Sequence, residues 1–374
     1  MTSVALVDQK PAIPTADNEA SVFVAPEWKL IWWKFRKHKV ALISAIFIII
    51  IYFIAAFVEF LAPFPSMMTN SKYLYAPPQP LQFDGGLFVS GYTSVVDKAS
   101  LRRVFVVDPS QKIAVGFFVE GAPYKMFGLL PGNRHFFGPL DPAQPMYLLG
   151  GDRLGRDLLS RLIYGTRISM SIGLVGVFFS LLLGVALGGI SGYYGGKLDT
   201  VIQRLIELVR SIPQVPLWMG LTAALTFTLT AEQTYFAITV ILALFSWPDL
   251  ARAVRGRFLS LRTEDFVMAA RLDGASEGRI IFRHMLPSFF SHIIATLTLT
   301  IPGTILAETA LSFLGLGLRE PVVSWGVLLQ DAQDIRSIAT APWLLIPTLA
   351  VVLSILTLNF FGDGLRDAAD PYAR

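Results

Sequence analysis

The chain has 374 residues, of which 53% are apolar and only 16% charged, whereas a soluble domain carries roughly 25% charged residues. Several apolar runs are long enough to cross a bilayer, so the chain is predicted to be a polytopic membrane protein. The formal net charge of +4 gives no sign of nucleic-acid binding, and the absence of cysteine excludes disulfides, thiolate metal sites and a cysteine nucleophile.

The chain begins with a polar stretch before its first apolar segment. Residues 1–38 are predicted to form a cytoplasmic tail, and the first 27 residues, polar and rich in proline and alanine, are expected to be disordered. The first transmembrane helix is predicted at 39–62. An excess of lysine and arginine is typical of the cytoplasmic side of a span. Five cations stand beside this one: Lys29, Lys34, Arg36, Lys37 and Lys39.

The segment at 63–165 is predicted to be an extracytoplasmic insert, because it follows a single span that starts in the cytoplasm. Residues 102–119 contain two β-branched runs around Asp108-Pro109-Ser110, which is typical of a β-hairpin. A small, β-containing insert is therefore expected. Eight aromatic residues would supply its core: Tyr73, Tyr92, Phe117, Phe118, Tyr124, Phe127, Phe136 and Phe137.

Four arginines conflict with this topology, because they stand just before the second span on the side assigned to the exterior. The charge rule is weak for loops longer than about 60 residues, so the extracytoplasmic assignment is kept. A labelling experiment that found Arg156 in the cytoplasm would overturn it. The four are Arg153, Arg156, Arg161 and Arg167.

Residues 166–362 are predicted to form the transmembrane core. With the first helix, its five apolar runs make an all-α polytopic membrane protein of six transmembrane helices. Six crossings return the C-terminal tail, 363–374, to the cytoplasm. The five runs lie at 168–190, 201–228, 235–253, 289–314 and 342–361.

Two patterns within these spans suggest helix interfaces or a solute pathway. Gly184, Gly188 and Gly192 form a small-residue stripe that would let another helix approach closely, either within this subunit or in a second one. Pro213 and Pro216 interrupt the third span. Such breaks persist in membranes only inside protein or beside water, so they indicate either a pathway or a kink.

Three carboxylates lie in or near apolar spans, where charge is costly and often functional. Glu207 has arginines at helical spacing, which favours a local ion pair, and Asp249 lies near the end of a span. Glu308 is the deepest of the three and is the candidate for a polar pathway or an interhelical contact.

Catalytic machinery is not recognisable in the sequence. The four histidines show no metal-ligand spacing, and no metal site or catalytic residue is predicted. The Gly-Gly-Lys at 195–197 lacks the rest of a phosphate-binding loop. Any work on a nucleotide is therefore expected from a partner.

A polar, arginine-rich segment at 263–287 connects two apolar spans, and its local signals predict helix, turn, helix. Thr263 would cap the first helix, and Gly274 would close it in the left-handed conformation that glycine adopts cheaply. Ser276 would cap a second helix that Pro287 stops. An ordinary basic cytoplasmic loop is the alternative that charge alone favours.

This segment resembles the EAA motif of ABC importer permeases, which reads Glu-Ala-Ala, three residues, Gly, nine residues, Ile, one residue, Leu-Pro. The chain has Met268-Ala269-Ala270, then Gly274, and ends in Leu286-Pro287. Met268 replaces Glu and His284 replaces Ile. The resemblance implies a helix that docks on an ATPase subunit, to which Asp273, Ala275, Ser276 and Arg279 would also contribute.

Six further strings in matching order resemble the C-type subunit of the dipeptide, oligopeptide and nickel importer permeases. Gly151 stands where that family usually has Thr. The strings are LGGDRLGRDLLSRLIYGTRISMSIGL at 149–174, GYYGGKLD at 192–199, RHMLP at 283–287, AETALSFLGLGL at 307–318, SWG at 324–326 and NFFGDGLRDAADP at 359–371.

The resemblance implies a type I ABC importer fold in the inner membrane and transport by alternating access. This chain would be half of a heterodimer with a homologous permease subunit, on which a solute-binding protein and two ATPase subunits act. ATP and magnesium would bind those ATPase subunits. The insert would be a structural cap, or would dock the binding protein or line the solute path.

Oligopeptides are the favoured cargo, with oligosaccharides, nickel complexes and modified peptides as alternatives. A secondary transporter driven by an ion gradient would need inverted repeats and a midplane ion site, which the sequence does not display. A non-transporting scaffold or sensor is the third alternative. Co-purification with ATPase subunits would separate the importer from both others.

Overall fold

Five helices in the computed structural model, which describes residues 26–96, 103–226 and 228–369, are long and apolar enough to cross a membrane. They are Lys39–Ala56, Leu158–Tyr194, Ala231–Leu261, Glu277–Phe313 and Pro342–Ala369. Most of the tail expected to be disordered, 1–25, and the end of the C-terminal tail, 370–374, lie outside the described residues.

The α-helices are numbered here in chain order. They are α1 (Glu27–Lys37), α2 (Lys39–Ala56), α3 (Val58–Leu61), α4 (Leu158–Tyr194), α5 (Gly196–Ser211), α6 (Gln214–Thr226), α7 (Ala231–Leu244), α8 (Trp247–Leu261), α9 (Asp265–Leu272), α10 (Glu277–Arg279), α11 (Phe290–Phe313), α12 (Trp325–Gln330), α13 (Ile335–Thr340) and α14 (Ile346–Ala369). The strands are β1 (Leu81–Phe83), β2 (Leu87–Val96), β3 (Arg103–Met126) and β4 (Leu130–Pro139).

The third predicted span, 201–228, is not one helix. It is divided between α5 and α6, and the chain leaves the helical conformation at Ile212, whose φ of −82° and ψ of 126° are extended. A residue before proline is pushed into this region, and Pro213 has no N–H to continue the ladder. Within the described residues, five helices are therefore long and apolar enough to cross a membrane, in place of the predicted six.

Helix α4 lies at the centre of the helical part. On one side it approaches α8, where Leu250 and Val254 enter the core. On another side Met170 packs with Ile301 and Ile305 of α11. Helix α2 packs on α14 at the periphery. Helix α4 therefore contacts both helices that flank the segment at 265–287, α8 before it and α11 after it.

The segment between α3 and α4 contains a four-stranded antiparallel sheet in the order β1-β2-β3-β4. The predicted hairpin around Asp108 is wrong, because β3 continues through it and pairs with β2 on both sides. The register shifts between Ser90 and Gly91, whose partners are Lys112 and Asp108. Asp108 accepts hydrogen bonds from the N–H (3.0 Å) and the hydroxyl (2.6 Å) of Ser110, so the local turn chemistry makes a bulge.

Only part of the predicted aromatic core is buried. Tyr73 and Tyr92 pack with Tyr147 and Phe105 in one cluster. By contrast, three of the predicted core residues are at least half exposed: Phe117, Phe118 and Phe127. Phe118 has a positive φ of 55°, which interrupts the regular alternation of β3, and Phe127 follows the end of that strand. Aromatic content alone therefore overestimates this core.

Candidate functional site

The connecting segment at 265–287 starts with helix α9, whose N-cap is Glu264, one residue after the predicted Thr263. The Thr263 hydroxyl donates to the carbonyl of Ser260 at 3.1 Å and does not cap α9. Asp265 lies in the first turn, where the helix dipole favours negative charge. The boundary prediction was therefore one residue early, although the helix itself was predicted.

Helix α9 ends at a glycine, as predicted. Gly274 has a φ of 76°, and its N–H donates to the carbonyl of Arg271 at 3.0 Å while that of Ala275 donates to Ala270 at 3.0 Å. These two bonds form a Schellman motif, which satisfies carbonyls at the end of the helix. A Cβ added at Gly274 would meet no other residue within 4 Å beyond its chain neighbours, so the glycine is required by its backbone conformation and not by crowding.

The second helix starts at Glu277 after Ser276, as predicted, but the Ser276 side chain makes no capping hydrogen bond. Pro287 does not stop this helix. The chain widens into a π-helical turn at Ile280–Met285, and the N–H of Leu286 donates to the carbonyl of Ile281 at 2.8 Å. Pro287 then opens a short 3₁₀ turn that leads into α11. Proline is tolerated at the first position of a helical turn, so the helix continues into the transmembrane span.

The inner face of the connecting segment is part of the protein core. Val267, Ala270, Ile280 and Met285 are at most 8% exposed and lie in one cluster with residues of α4, α8 and α11. Phe258 packs edge to face on Phe289 within this cluster, with 5.6 Å between ring centroids. The segment is therefore anchored to three long helices and would move together with them.

Four apolar side chains on the outer surface of the segment are exposed among charged ones. Leu272 is 87% exposed and Phe282 68%, and Phe266 and Met268 lie on the same connecting segment at 42% and 46%. We call these four side chains the apolar face. Exposed apolar side chains that group within a polar surrounding are typical of a surface that binds another protein.

The predicted coupling residues divide between the two faces. Ala270 is buried, while Ala275, His284 and Leu286 are half-buried. The others are exposed: Met268, Ala269, Asp273, Gly274, Ser276, Arg279 and Pro287. Of the two departures from the family motif, Met268 therefore stands on the surface, whereas His284 lies partly inside.

Side chains at the end of α4 contact the connecting segment, and α5 is paired with α8. The Arg271 guanidinium lies 5.4 Å from the centre of the Tyr193 ring, and the Tyr194 hydroxyl donates to Glu277 at 2.8 Å. Arg255 binds both carboxylate oxygens of Asp199 at 2.6 Å. Bidentate pairs of this kind add geometric specificity.

A second constellation, which the sequence did not reveal, surrounds the start of α4. Asp152, Arg156 and Arg161 are at most 1% exposed. The Arg156 Nε lies 2.6 Å from Asp152, and Arg161 also binds this carboxylate. Both arginines reach Glu320, at 2.7 and 2.8 Å. We call these four residues, together with the pair of Arg153 and Asp331 at 2.8 Å, the buried ion network.

Two carboxyl groups in this region have pKa values displaced in opposite directions. Burial raises the pKa of Asp157 to about 6, although Ser160 donates to it from its N–H (2.7 Å) and its hydroxyl (2.6 Å). Burial also acts to raise the pKa of Glu320, but the hydrogen bond from Arg156 and the charge of Arg161 outweigh it and hold the pKa at about 2. Glu320 therefore stays ionised near neutral pH.

The last of the four arginines, Arg167, is paired as well. Its two terminal nitrogens lie 2.5 and 2.7 Å from Glu59, and its Nε donates to the carbonyl of Ala55 at 2.8 Å. All four arginines therefore face acidic partners. Their positive charge is locally neutralised, which accounts for arginines at a position that the charge rule disfavours.

The glycine stripe in α4 faces α8 in the same chain. A Cβ added at Gly184 would lie 2.8 Å from the Leu250 side chain, and one at Gly188 would lie 2.4 Å from the backbone oxygen of Ala251. At Gly192 it would meet Phe258 at 2.6 Å. The structure therefore uses the stripe for packing within the subunit, where backbones approach closely.

Glu308 lies in an interhelical junction. It is fully buried, and one carboxylate oxygen accepts from Ser312 at 2.8 Å and from Ser324 at 2.6 Å. Ser324 also caps α12, so Glu308 connects α11 to the start of α12. The described residues contain no group of three His, Cys, Asp or Glu side chains placed to hold a metal.

A cleft of about 530 Å³ opens between α6, α7, α8, α11 and α14. Pro213 and Pro216 do not line it, although Gln214 between them does. Its main wall is a row on α11 with four-residue spacing: His292, Thr296, Thr300 and Thr304. This spacing puts side chains on one helical face. The periodicity of hydroxyl residues was visible in the sequence, but only the fold shows that the row faces a cavity.

Long apolar helices joined by an anchored, outward-facing helical segment define a polytopic membrane protein. The model of the family "Binding-protein-dependent transport system inner membrane component" matches residues 184–374. A model of the N-terminal transmembrane domain of oligopeptide transport permease C matches 27–78. The chain belongs to this family of inner-membrane transport components.

Curated relatives match across most of the chain. The oligopeptide transport system permease protein OppC of Haemophilus influenzae is 42% identical over 229 residues, which are 61% of this chain and 71% of the relative. The dipeptide transport system permease protein DppC of the same organism is 32% identical over 91% of this chain and 93% of its own. A solved structure of the MetNI methionine ABC transporter, inward-facing, matches 57% of this chain and 98% of its own at 20% identity, with a TM-score of 0.45.

Proposed function

We propose that this chain is the C-type transmembrane permease subunit of an ATP-driven importer that takes oligopeptides from an extracytoplasmic solute-binding protein. The observation that carries the proposal is the connecting segment at 265–287. Its inner face belongs to the core of three long helices, and its apolar face is open to a partner. A contact that moves this surface therefore moves transmembrane helices with it.

The partner at the apolar face is an ATPase subunit. A heterodimer with a homologous permease subunit would present two such surfaces, one to each of two ATPase subunits, which hold ATP and magnesium. The connecting segment transmits force and takes no part in hydrolysis. The residues on it that face outward, among them Met268, Asp273 and Arg279, are the ones that contact the ATPase.

The proposed topology has six crossings, with α5 and α6 together forming a third crossing that is broken at Pro213. Both termini, including 1–38 and 363–374, then lie in the cytoplasm with the connecting segment. The insert at 63–165 is extracytoplasmic, and the core at 166–362 contributes half of the solute pathway. The neutralised arginines before α4 support this placement, because they leave little net charge to oppose it.

The cargo is proposed to be oligopeptides, on the basis of the oligopeptide and dipeptide permease names of the relatives. Oligosaccharides, nickel complexes and modified peptides are the other cargoes to be compared in uptake assays. A panel of these solutes, offered to the complete transporter in proteoliposomes with ATP inside, measures the selectivity directly. Uptake of oligosaccharide without peptide would replace the proposed cargo while retaining the mechanism.

The coupling role is tested by Gly274→Pro in the complete transporter. Proline requires a φ near −65°, whereas Gly274 has 76° and donates a hydrogen bond that proline lacks. We expect solute-stimulated ATPase activity and uptake to be lost together, while insertion into the membrane is retained. The measurement is ATP hydrolysis and peptide uptake by the same preparation.

Gly128→Pro is a matched control in the insert. Gly128 also has a positive φ, of 73°, donates one hydrogen bond at 3.0 Å and has open space around it. It should retain solute-stimulated ATPase activity. Normal uptake by Gly274→Pro would contradict the assignment of the connecting segment, and loss of coupling in both variants would show that the effect is not specific to it.

A further inference from the structure

The cleft between α6, α7, α8, α11 and α14 has properties of a solute site that the coupling function does not require. Its volume of about 530 Å³ falls within the range of roughly 300–1,000 Å³ that is typical of small-molecule sites. It is lined by hydroxyl, amide, imidazole and charged side chains as well as apolar ones. A cleft inside a helical core that served only packing would be filled by apolar side chains.

The threonine row on α11 presents hydrogen-bond acceptors to this cleft. Thr296, Thr300 and Thr304 each donate their hydroxyl hydrogen to the carbonyl four residues earlier, at 2.9, 3.1 and 3.0 Å. A hydroxyl has one hydrogen to donate and two lone pairs to accept with. The hydroxyls are therefore already committed as donors, so this wall matches a ligand that supplies N–H groups.

The lining of the cleft includes a cation. Arg366 lines the cleft and forms no ion pair within the described part of the chain. Asp249, the acidic residue of the lining, is already bound to Arg210. An unpaired guanidinium binds a carboxylate through two parallel hydrogen bonds better than it binds neutral groups. Gln214 adds an amide that can both donate and accept.

We propose that this cleft, which extends from the transmembrane part of α11 to Arg366 at its cytoplasmic end, is a binding site for short peptides that carry a free C-terminal carboxylate. Arg366 binds the carboxylate, and the threonine row accepts hydrogen bonds from the backbone N–H groups. Because backbone groups are the same in every peptide, such a site is indifferent to most side chains. The inference rests on the proposed function, and it adds the residues and the chemical group that this subunit recognises.

The test uses Thr300→Cys in the complete transporter in lipid nanodiscs. The chain contains no cysteine, so the new thiol is unique in this subunit, and its reaction with a maleimide is followed by the mass of the subunit. We expect trialanine, at ten times its dissociation constant, to slow the reaction about tenfold, because only the empty site reacts. Ile294→Cys, exposed on the same helix and outside the cleft lining, should react at the same rate with and without peptide.

The carboxylate is tested with trialanine amide, which lacks the negative charge. Losing a hydrogen bond to a charged group weakens binding by roughly tenfold to a hundredfold, so the amide should protect Thr300→Cys correspondingly less. Adding Arg366→Gln should remove the difference between the two peptides. Equal protection by both peptides with Arg366 intact would overturn the role of Arg366.

A steric test does not depend on cysteine chemistry. Gly303 lines the cleft, and a Cβ added there would meet no atom of another residue within 4 Å, leaving aside the adjacent helix backbone. Gly303→Phe should therefore reduce trialanine uptake at least tenfold while the subunit still assembles with its ATPases. Gly220, which has equal open space but does not line the cleft, is the matched control as Gly220→Phe.

The outcomes separate this inference from the proposed function. If the transporter takes up trialanine but the peptide does not slow the reaction of the Thr300→Cys variant, the cleft is not a peptide site and the proposed function stands. If the Thr300→Cys variant does not react with the maleimide even without peptide, another helix covers the cleft, which also overturns the site. If the transporter takes up no peptide but imports another solute, the proposed cargo fails and the site fails with it.

Discussion

Two arginine-rich regions border membrane-spanning helices in this chain, and they use arginine in opposite ways. In the buried ion network before α4, Arg156 and Arg161 are at most 1% exposed and bind Asp152 and Glu320. In the connecting segment, Arg279 and Arg283 are exposed and form no ion pair within the described residues. The first region holds parts of the same chain together, and the second is available to another molecule.

The difference follows from the cost of burying charge. A guanidinium that leaves water must be paired, and removing its partner then costs much more than an exposed pair contributes. The network joins the start of α4 to the loop at Glu320 and the end of α12 near Asp331. Substitutions in the buried ion network are therefore expected to destabilise the fold. Substitutions on the surface of the connecting segment are expected to leave the fold intact but to weaken its contact with a partner.

The largest effect is expected for Asp152→Ala. It would leave Arg156 and Arg161 buried with Glu320 as their remaining close partner, and breaking a buried pair costs about 3–5 kcal/mol. The free energy of unfolding in mixed micelles, followed by circular dichroism, measures this loss. Glu207→Ala, which removes the exposed pair with Arg204, should cost at most about 0.5 kcal/mol, and equal costs would refute the distinction.

A second large effect is expected on the inner face of the connecting segment. Met285 is fully buried in the cluster that anchors this segment, and Met285→Ala should lower the free energy of unfolding by about 2–5 kcal/mol. The same micelle titration measures it. A loss below 0.5 kcal/mol would mean that the segment is not anchored as described.

An intermediate effect depends on pH through Asp157. Its pKa is raised to about 6 in the folded protein, so the folded state binds more protons than the unfolded state at pH values between about 4 and 6. Stability relative to Asp157→Asn, which can still cap α4, should therefore increase by about 1 kcal/mol when the pH falls from 7 to 5. A constant difference between the two proteins over this range would contradict the raised pKa.

Glu320 does not disturb this measurement. Its pKa is lowered to about 2, so its contribution to stability is present above the unfolded pKa and is lost only as the pH falls further, through about 4 and below. The pH range from 7 to 5 therefore reports mainly on Asp157. The variant shares every other titrating group with the parent, which cancels their contributions.

The smallest effect on stability is expected for Leu272→Ala on the apolar face. The side chain is 87% exposed, so the free energy of unfolding should change by less than about 0.5 kcal/mol. Association with the ATPase subunits should nevertheless weaken, which co-purification at graded salt and detergent concentrations would detect. Undiminished association would show that Leu272 does not contact the ATPase subunit.

Local signals predicted the connecting segment well. Gly274 closes α9 and Ser276 precedes the next helix because caps depend on a few neighbouring residues and their backbone angles. The same kind of signal misled at Asp108 and at Pro287. A turn-forming side chain can make a bulge within a continuing strand, and a proline can open a new helical turn, when the flanking residues have partners elsewhere.

The sequence by itself determined the membrane class, the approximate positions of the spans, the break at Pro213 and the turn at Gly274 in the connecting segment, because each depends on composition or on residues close in the chain. Only the tertiary structure decided which helix the glycine stripe faces, which acids neutralise the arginines before α4, and that the threonines of α11 line a cleft. Arg161 and Glu320 are 159 residues apart. Contacts over such distances arise from the packing of whole helices, which no local pattern records.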